Sequence, residues 1–286
     1  MIKVALTGAT GFIGRHVLAE LNSHNGVEVI AVARELRAGD PEITNGRWVQ
    51  MDICKPPANA FDVLGCPDIL IHLAWHGLPN YRSLHHFESE LPIQYAFLKL
   101  LIEQGLKSVV VAGTCFEYGM QSGPLSEEIE TRPANPYGFA KDALRKQLQY
   151  LQALHPFNLT WARLFYMYGD GQPDSSLIPQ LTKAVERGDK VFNMSGGEQL
   201  RDYLPVTAVA EKMVSLALKQ QNIGTINICS GKPISVRNLV EKWIHDEQLD
   251  IKLNLGFYPY PDYEPMAFWG DNTKLKKLFP NPICLT

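Results

Sequence analysis

The sequence predicts an α/β fold, a doubly wound parallel sheet with a smaller C-terminal lobe, from three observations. The chain opens with a short apolar run, residues 2–6, of the kind that forms a buried parallel strand. This run leads into a glycine-rich turn, residues 8–14, and then into apolar residues at helical spacing over 15–21. Further apolar runs follow along the chain, separated by segments with helical periodicity.

The later elements are predicted from the same two periodicities. The further strands are predicted at 27–33, 48–52, 68–74, 109–112, 159–165 and 225–230. Long helices are predicted over 84–104 and 137–153, and another helix begins near Ser235. In the first of these helices, Pro92 either introduces a kink or marks the true start.

Length and charge restrict the classes of function. The 286 residues can bury a large core in one compound domain or two small ones. The net charge of −3 gives no reason to expect nucleic acid or an anionic membrane as a partner. No apolar run is long enough to span a bilayer, and no signal peptide precedes the first strand. The five cysteines are scattered without metal-ligand spacing, so we expect no metal site and a reduced, cytoplasmic protein.

The glycine-rich turn predicts a dinucleotide site. Glycines 8, 11 and 14 allow a tight turn, close approach of the backbone to a pyrophosphate, and close packing of helix on strand. The helix that follows presents free N–H groups and the positive end of its dipole to phosphate. The cofactor-binding residues predicted in this turn are Gly8, Thr10, Gly11, Phe12 and Ile13.

The end of the second strand predicts which dinucleotide binds. In NAD-binding versions of this fold, an acidic residue ends that strand and binds the ribose 2′-hydroxyl. Here Ala33 stands at that place and Arg34 follows it. A guanidinium group can pair with a 2′-phosphate, and Arg15 lies just after the last glycine of the turn. The expected cofactor is therefore NADP(H), with NADPH preferred over NADH.

Tyr137 and Lys141 form the candidate catalytic pair. Residues four apart on a helix lie on one face, one turn from each other. An ammonium group beside a phenol favours the phenolate, so we expect the pKa of Tyr137 to fall. A phenol with a lowered pKa can deliver or accept a proton near neutral pH.

The G-x-x-G-x-x-G turn and the Tyr-x-x-x-Lys pair together resemble the extended, sugar-nucleotide branch of the short-chain dehydrogenase/reductase superfamily. The resemblance implies that Lys141 also holds the nicotinamide ribose, and that Asp52 and Ile53 contact the adenine. By the same resemblance, Leu73 and Ala74 at the end of the fourth strand line the cofactor. It further implies a dinucleotide-binding domain over 1–165, to which 203–230 return, and a nucleotide-sugar lobe from 166–202 and 231–286.

The substrate-binding residues are also implied by the resemblance. Thr114 matches a family hydroxyl that binds the substrate carbonyl oxygen protonated by Tyr137. Trp75, which by resemblance lines the cofactor, is also expected to bind the substrate. The 4,6-dehydratases of the superfamily carry Asp-Glu directly after that threonine, whereas this chain has Cys115 and Phe116, so dehydration is not expected.

The later part of the chain matches the branch in two further places. Arg201, within Glu-Gln-Leu-Arg-Asp-Tyr-Leu, corresponds to the arginine that pairs with the nucleotide diphosphate. Tyr166 replaces an asparagine that binds the diphosphate in many relatives, and Ser176 begins the substrate-binding part.

The whole pattern resembles nucleotide-4-keto-6-deoxyhexose reductases, in particular those that act on dTDP-4-dehydro-6-deoxyglucose and form dTDP-fucose. This implies hydride transfer from the nicotinamide to the sugar C4 ketone, in the synthesis of surface polysaccharides such as O-antigen. The two long helices also resemble the four-helix contact of family homodimers. Two alternatives remain, a nucleotide-sugar 4-epimerase with tightly bound NAD and a catalytically silent dinucleotide-sensing protein.

Overall fold

A seven-stranded parallel sheet forms the centre of the computed structural model, which describes residues 1–280. Its strands are β1 (Ile2–Thr7), β2 (Val27–Ala33), β3 (Gly46–Gln50), β4 (Ile69–His72), β5 (Ser108–Thr114), β7 (Asn158–Leu164) and β11 (Gly224–Ile228). They lie in the order β11-β7-β5-β4-β1-β2-β3, and every neighbouring pair is parallel.

Helices cover both faces of this sheet. The helices of residues 1–280 are α1 (Phe12–Ser23), α2 (Ala60–Val63), α3 (Leu91–Glu103), α4 (Pro136–Leu154), α5 (Leu177–Glu186), α6 (Val206–Leu218), α7 (Val236–Asp246) and α8 (Thr273–Leu278). Of these, α5 and α7 pack in a separate core outside the sheet. Alternate residues of β1 divide between the two faces, as strand geometry requires. Val4 and Leu6 join the core beneath α1 and α6, and Ala5 joins the core beneath α3 and α4. The prediction of a doubly wound sheet is confirmed.

The strand order reverses beside β1, and this places the site. The chain runs outwards from β1 through β2 to β3, then returns to β4 on the other side of β1 and runs outwards through β5. In open sheets of this kind, ligands bind at the carboxyl ends of the strands where the order reverses. The turn after β1 and the loop after β4 therefore meet at the expected crevice.

Several short strands outside the central sheet were not predicted. β8 (Tyr166–Tyr168), β10 (Leu200–Pro205) and β12 (Pro233–Ser235) form one small sheet. Two-stranded sheets pair β9 (Val191–Asn193) with β13 (Lys252–Asn254), and β6 (Gly123–Leu125) with β14 (Phe268–Gly270). Apart from β10, these strands have three residues each, which are too few to show an alternating pattern in sequence.

The helix predicted over 84–104 begins later than its apolar pattern. A π-helical turn spans His86–Glu90, and α3 then starts at Leu91 with Pro92 in its first turn. Proline suits the first helical positions because its missing N–H has no partner there. Pro92 therefore marks the start of the regular helix. Among the helices formed by residues 1–280, none combines the length and the apolar character needed to cross a membrane.

Candidate active site

The turn between β1 and α1 is packed as closely as its three glycines allow. Gly8 has a positive φ of 72°, and a Cβ added there would lie 2.8 Å from the backbone nitrogen of Ala74. A Cβ at Gly14 would overlap the carbonyl oxygen of Gly8. The absence of these side chains brings the turn against the loop after β4 and brings α1 onto the turn.

The start of α1 fits a phosphate group. Gly11 is the N-cap in extended conformation, no side chain caps the first turn, and no acidic residue lies in it. The first free N–H groups of the helix therefore face the crevice without a competing anion. Thr10 is exposed beside them, and Phe12 and Ile13 are half-buried in the first helical turn.

The side chain of Arg15 contacts the loop after β8. Its side chain is exposed and packs against Gly171 in the loop after β8, where an added Cβ would lie 2.8 Å from the guanidinium Nη1. The neighbouring His16 ring bonds the carbonyl oxygen of Asp170 at 2.8 Å. Arg15 therefore helps to hold the loop after β8 against α1.

The end of β2 brings Arg34 near Asp52. Ala33 is buried, whereas Arg34 is exposed. The Asp52 carboxylate accepts a hydrogen bond from the backbone N–H of Cys54, and this bond, with the charge of Arg34 as a smaller cause, holds the pKa of Asp52 below its ordinary value. Ile53 is buried in the core. Arg34 and Asp52 thus lie on the same exposed rim of the sheet.

The candidate catalytic residue Tyr137 is placed by the start of α4. Asn135 caps this helix by accepting a hydrogen bond from Gly138 N at 2.8 Å, with Pro136 in the first turn. A Cβ at Gly138 would lie 2.6 Å from the carbonyl oxygen of Phe116, so glycine lets the helix pack onto the turn after β5. Tyr137 is thereby buried, with 8% of its surface exposed.

Thr114 lies at the end of β5, facing the phenol. It is buried, and its side chain acts to lower the pKa of Tyr137. Thr114 also caps the 3₁₀ turn Cys115–Tyr118: its hydroxyl oxygen accepts from Phe116 N at 3.3 Å, and its own N–H donates to Glu117 Oε1 at 2.8 Å. The threonine is thus fixed by its own turn and still faces Tyr137.

The expected direction of the Tyr137 pKa is wrong for this state of the protein. Burial raises the pKa of Tyr137 well above its ordinary value, and the small opposing effect of Thr114 does not offset it. The Lys141 ammonium is 5.9 Å from the centre of the phenol ring and donates instead to the carbonyl oxygen of Ala112 at 2.8 Å. Helical spacing brings the two residues onto one face, but desolvation decides the protonation of the phenol.

Lys141 is itself buried, and its charge is easily lost. Its exposed fraction is 2%, and burial lowers its pKa from 10.5 to about 7, although Glu117 and Glu90 oppose this. Its ammonium Nζ lies 3.9 Å from the centre of the Trp75 ring. Charged and neutral forms of Lys141 therefore coexist near neutral pH, so a small change in its surroundings alters the fraction that is charged.

A ring of aromatic residues around Tyr137 escaped the sequence analysis. The ring centres of His86, Tyr81, Trp75 and Phe116 lie 5.2, 5.6, 5.9 and 6.3 Å from that of Tyr137. The backbone of Tyr81 also accepts a hydrogen bond from Tyr137 N at 3.2 Å. Trp75, Tyr81 and His86 come from the segment between β4 and α3, and Phe116 comes from the turn after β5, so no periodicity in the sequence could have grouped them.

His72, which the sequence places inside β4, is a satisfied core residue. Its Nδ1 bonds the Thr7 hydroxyl at 2.8 Å and its Nε2 bonds Gln94 Oε1 at 2.7 Å. Gln94 Nε2 then donates to Glu90, which also accepts from the backbone N–H of His76. Burial lowers the pKa of His72 to about 3, so it stays neutral. The chain of hydrogen bonds fixes β4 and the loop after it, including Leu73, whose N–H donates to Thr7 O.

Arg201 has a partner that the sequence did not indicate. Its guanidinium group donates to Glu264 Oε2 from both Nε and Nη2, at 3.1 and 2.8 Å, and it is 3% exposed. The hydroxyl of Tyr166 is buried next to this pair and has no hydrogen-bond partner within residues 1–280. Arg201 and Tyr166 are thus brought together, and the guanidinium group expected to bind a diphosphate is paired with the Glu264 carboxylate.

Ser176 is not brought to this cluster by any contact of the described chain. It stands at the N-cap of α5 without a side-chain capping bond, and its N–H donates to Pro173 O at 2.8 Å. Its predicted role in substrate binding stays a prediction.

Comparisons with known proteins agree with this geometry. The model of the NAD dependent epimerase/dehydratase family matches residues 4–229. The dTDP-6-deoxy-L-talose 4-dehydrogenase (NAD(+)) of Aggregatibacter actinomycetemcomitans is 31% identical over 94% of this chain and 99% of its own. The GDP-6-deoxy-D-talose 4-dehydrogenase of the same organism is 26% identical over 100% of this chain and 94% of its own. The chain therefore belongs to the NAD dependent epimerase/dehydratase family.

A solved structure shows the same fold over nearly the whole chain. MoeE5 in complex with UDP-glucuronic acid and NAD matches with a TM-score of 0.83 and 27% identity, covering 98% of this chain and 93% of its own. With the family membership, this confirms the prediction of an NAD(P)-dependent enzyme of the extended short-chain dehydrogenase/reductase type.

Proposed function

We propose that this enzyme reduces the C4 ketone of a nucleotide-activated 4-keto-6-deoxyhexose. The observation that carries the proposal is the buried phenol of Tyr137, which faces Thr114 at the carboxyl edge of the sheet beside the glycine turn. A nicotinamide cofactor supplies hydride when bound. Tyr137 gives its proton to the oxygen at C4, and Thr114 orients that oxygen. Burial keeps the pKa of Tyr137 above its ordinary value, so at neutral pH the phenol carries the proton that a donor must supply.

The residues after Thr114 support reduction over dehydration. Cys115 and Phe116 stand where dehydratases carry an acid and a base, and both are buried. Burial raises the pKa of the Cys115 thiol well above its ordinary value, so the thiol stays neutral. Neither side chain can act as an acid/base pair that removes water from the sugar.

The relatives support the C4 position and the deoxysugar. Two of them are named as 4-dehydrogenases of nucleotide-activated 6-deoxytaloses. A 4-dehydrogenase running in reverse is a C4-ketone reductase, so their chemistry matches the proposal. We propose dTDP-4-dehydro-6-deoxyglucose as substrate and dTDP-fucose as product, an activated sugar for surface polysaccharides such as O-antigen. The 4-ketone of dTDP-6-deoxy-L-talose is the competing substrate.

The test is a turnover screen with purified enzyme. NADPH and NADH oxidation are followed with dTDP- and GDP-linked 4-keto-6-deoxyhexoses, and the product configuration is read by NMR. We expect turnover with at least one dTDP-linked ketone and no loss of water from the sugar. Absence of cofactor oxidation with every ketone would refute the proposed function.

A 4-epimerase is the second candidate, because a UDP-glucose 4-epimerase from Lactobacillus helveticus is 24% identical over 96% of this chain. An epimerase returns the hydride to the same sugar and retains its cofactor. The reductase should purify without cofactor and consume added NAD(P)H. Purified protein with a full equivalent of NAD bound would favour epimerisation.

The proposed cofactor is NADPH in preference to NADH, because the buried Ala33 leaves no carboxylate beside the exposed Arg34. A charge-assisted contact to a 2′-phosphate is worth about tenfold in affinity. The NAD(+) in the name of the talose relative points the other way. Dissociation constants measured for both cofactors should favour NADPH in the native protein and NADH in Ala33→Asp/Arg34→Asn. A native preference for NADH would show that Arg34 faces solvent.

We also propose the division into two functional parts. Residues 1–165 with 203–230 would hold the dinucleotide, and 166–202 with 231–286 the nucleotide sugar. The core around α5 and α7 lies outside the seven-stranded sheet, which supports this division. Residues 281–286 of the second part lie outside the described residues.

A homodimer through α3 and α4 is the proposed assembly. α4 exposes Phe139, Tyr150 and Leu154 at helical spacing, with 52%, 78% and 77% of their surfaces accessible. Phe87 packs edge-on against Phe139 with ring centres 5.9 Å apart, which extends the apolar surface towards α3. Such a patch supports burial against a second copy.

A further inference from the structure

The indole of Trp75 covers the charged end of Lys141. The ammonium Nζ lies 3.9 Å from the centre of the indole ring. The one hydrogen bond that Nζ makes within residues 1–280 goes to the carbonyl oxygen of Ala112. A cation placed over a tryptophan face in a desolvated site is attracted by the ring quadrupole. Trp75 and Ala112 therefore hold the ammonium group from two sides.

Trp75 is in turn fixed by His86. The indole Nε1–H donates to His86 Nδ1 at 3.1 Å, and the two rings lie 27° from parallel. His86 Nε2 lies 2.9 Å from the carbonyl oxygen of Asn80, to which it can only donate. His86 is therefore the neutral tautomer with its proton on Nε2, and burial, which lowers its pKa, favours that neutral form.

We propose that Trp75 is a positioning residue that holds the buried ammonium group of Lys141 in place, and that His86 fixes the orientation of the indole. The tertiary contacts carry this inference, since Trp75 stands 66 residues before Lys141 and the two meet only in the fold. The inference rests on the proposed function in one respect, namely that Lys141 belongs to the active site.

The other charged and titratable groups around Lys141 do not fix its protonation, so contact with Trp75 can change its pKa. Glu117 and Glu90 stabilise the charged form of Lys141, and burial opposes them. His72 and His86 are neutral, and Tyr137 keeps its proton. Because the pKa of Lys141 is about 7, loss of one attraction changes the fraction of charged lysine in the neutral range. A desolvated cation–π contact corresponds to a shift of about one pH unit.

The test is an NMR titration of the Lys141 side chain in the cofactor-free protein, with its signal assigned by Lys141→Arg. We expect the midpoint to fall by about one pH unit in Trp75→Leu and by less in Trp75→Phe, which keeps an aromatic face. Trp243→Leu, in α7, is the matched control and should leave the midpoint unchanged. An unchanged midpoint in Trp75→Leu and Trp75→Phe would overturn the proposal.

His86 is tested by a pair of variants. In His86→Asn the side-chain oxygen can still accept from the indole, whereas His86→Leu removes the acceptor. We expect the midpoint of Lys141 to fall in His86→Leu and to be largely restored in His86→Asn. Equal midpoints in His86→Leu and the native protein would overturn the role of His86.

Activity provides a second readout for Trp75. If charged Lys141 is required, the alkaline limb of the kcat/KM profile should move to lower pH by about one unit in Trp75→Leu. A loss of kcat without movement of the limb would mean a merely structural role and would contradict the proposal. A native enzyme that reduces no 4-keto sugar, with the NMR midpoints behaving as expected, would refute the proposed function and support this inference.

Discussion

At the scale of single residues, burial controls the chemistry of Tyr137. The phenol is almost fully buried among aromatic rings, and its pKa is raised, so it carries a proton over the whole physiological range. A residue in this state can donate a proton to an oxygen that becomes negative but cannot act as a base without further help. That help would have to come with the substrate and cofactor, which change the solvation of the site.

Replacing Tyr137 by phenylalanine should therefore remove the hydroxyl group that donates the proton and leave the packing of the ring unchanged. We expect turnover to fall by about 10² or more, the usual effect of losing a positioned acid, with cofactor affinity and Tm unchanged. Turnover is measured by single-turnover and steady-state assays, cofactor affinity by titration, and Tm by thermal unfolding. Tyr150→Phe, at an exposed position of the same helix, is the control. Near-normal turnover in Tyr137→Phe would refute the donor role.

The buried Lys141 should lower the stability of the folded protein, even though we propose that it belongs to the active site. The pKa of Lys141 is lowered from 10.5 to about 7, so between these pH values the unfolded chain binds a proton that the folded chain does not. The cost to stability is fully present below pH 7 and disappears as the pH rises towards 10.5. Lys141→Met should raise Tm by roughly 5 °C at pH 6.5 and by progressively less at higher pH.

This prediction is measured by thermal unfolding of the cofactor-free protein at pH 6.5, 8 and 9.5. Lys252→Met, at an exposed lysine of β13, should show no such dependence on pH. Turnover should be lost in Lys141→Met and kept in the control. A stabilisation of Lys141→Met that grows with pH would contradict the sign of the pKa shift.

At the scale of elements, Arg201 joins β10 to the segment before β14. The Arg201–Glu264 pair spans 63 residues of sequence and is nearly dry, with side chains 3% and 10% exposed. Removing one member of such a pair leaves the other charge buried without compensation, which costs about 3 kcal/mol. The pair therefore contributes to the docking of these two segments whatever its role in substrate binding.

The two roles of Arg201 can be separated by a double variant. Arg201→Ala should lower the free energy of unfolding by about 3 kcal/mol, and adding Glu264→Ala should restore part of the loss, since neither charge is then left alone. If Arg201 binds the diphosphate, the double variant should still bind the nucleotide sugar more weakly by roughly 2–3 kcal/mol. Denaturant unfolding and calorimetric titration measure the two effects. If the double variant binds the nucleotide sugar with unchanged affinity, Arg201 has a structural role and does not bind the diphosphate.

The start of α3 shows how neighbouring elements modify a local pattern. Apolar spacing over 84–104 fits one helix, yet the chain forms a π-helical turn at His86–Glu90 before α3 begins. This turn directs His86 towards Trp75 and Glu90 towards Gln94. π-turns occur often at functional sites because they redirect side chains from the regular helical face. Here the redirected residues, His86 and Glu90, lie near Lys141.

At the scale of the whole molecule, the exposed face of α4 predicts the assembly. The protein should elute with about twice the 32.1 kDa mass of one chain, measured by light scattering. Phe139→Glu with Tyr150→Glu should give monomers, because four like charges cannot be buried between two copies. Phe257→Glu changes an exposed ring in the C-terminal part and should remain dimeric. A monomeric native protein would refute the proposed dimer.

The sequence alone determined the architecture and the identity of the central residues. Strands that are buried on both faces read as continuous apolar runs, so each end of all seven central strands was predicted to within two residues. The glycine turn and the Tyr137–Lys141 spacing are local patterns, and each depends on fewer than eight consecutive residues. Local geometry of this kind can be predicted from a short stretch of sequence.

Only the tertiary structure decided the protonation and the partners of those residues. The pKa of Tyr137 is raised because residues distant in sequence exclude water from it. The Lys141 ammonium donates to the carbonyl oxygen of Ala112 and contacts the Trp75 ring. Glu264, His86 and Tyr81 reach the site from segments with no periodic relation to it. Desolvation and charge pairing depend on what surrounds a group in space, and residues far apart in sequence supply those surroundings.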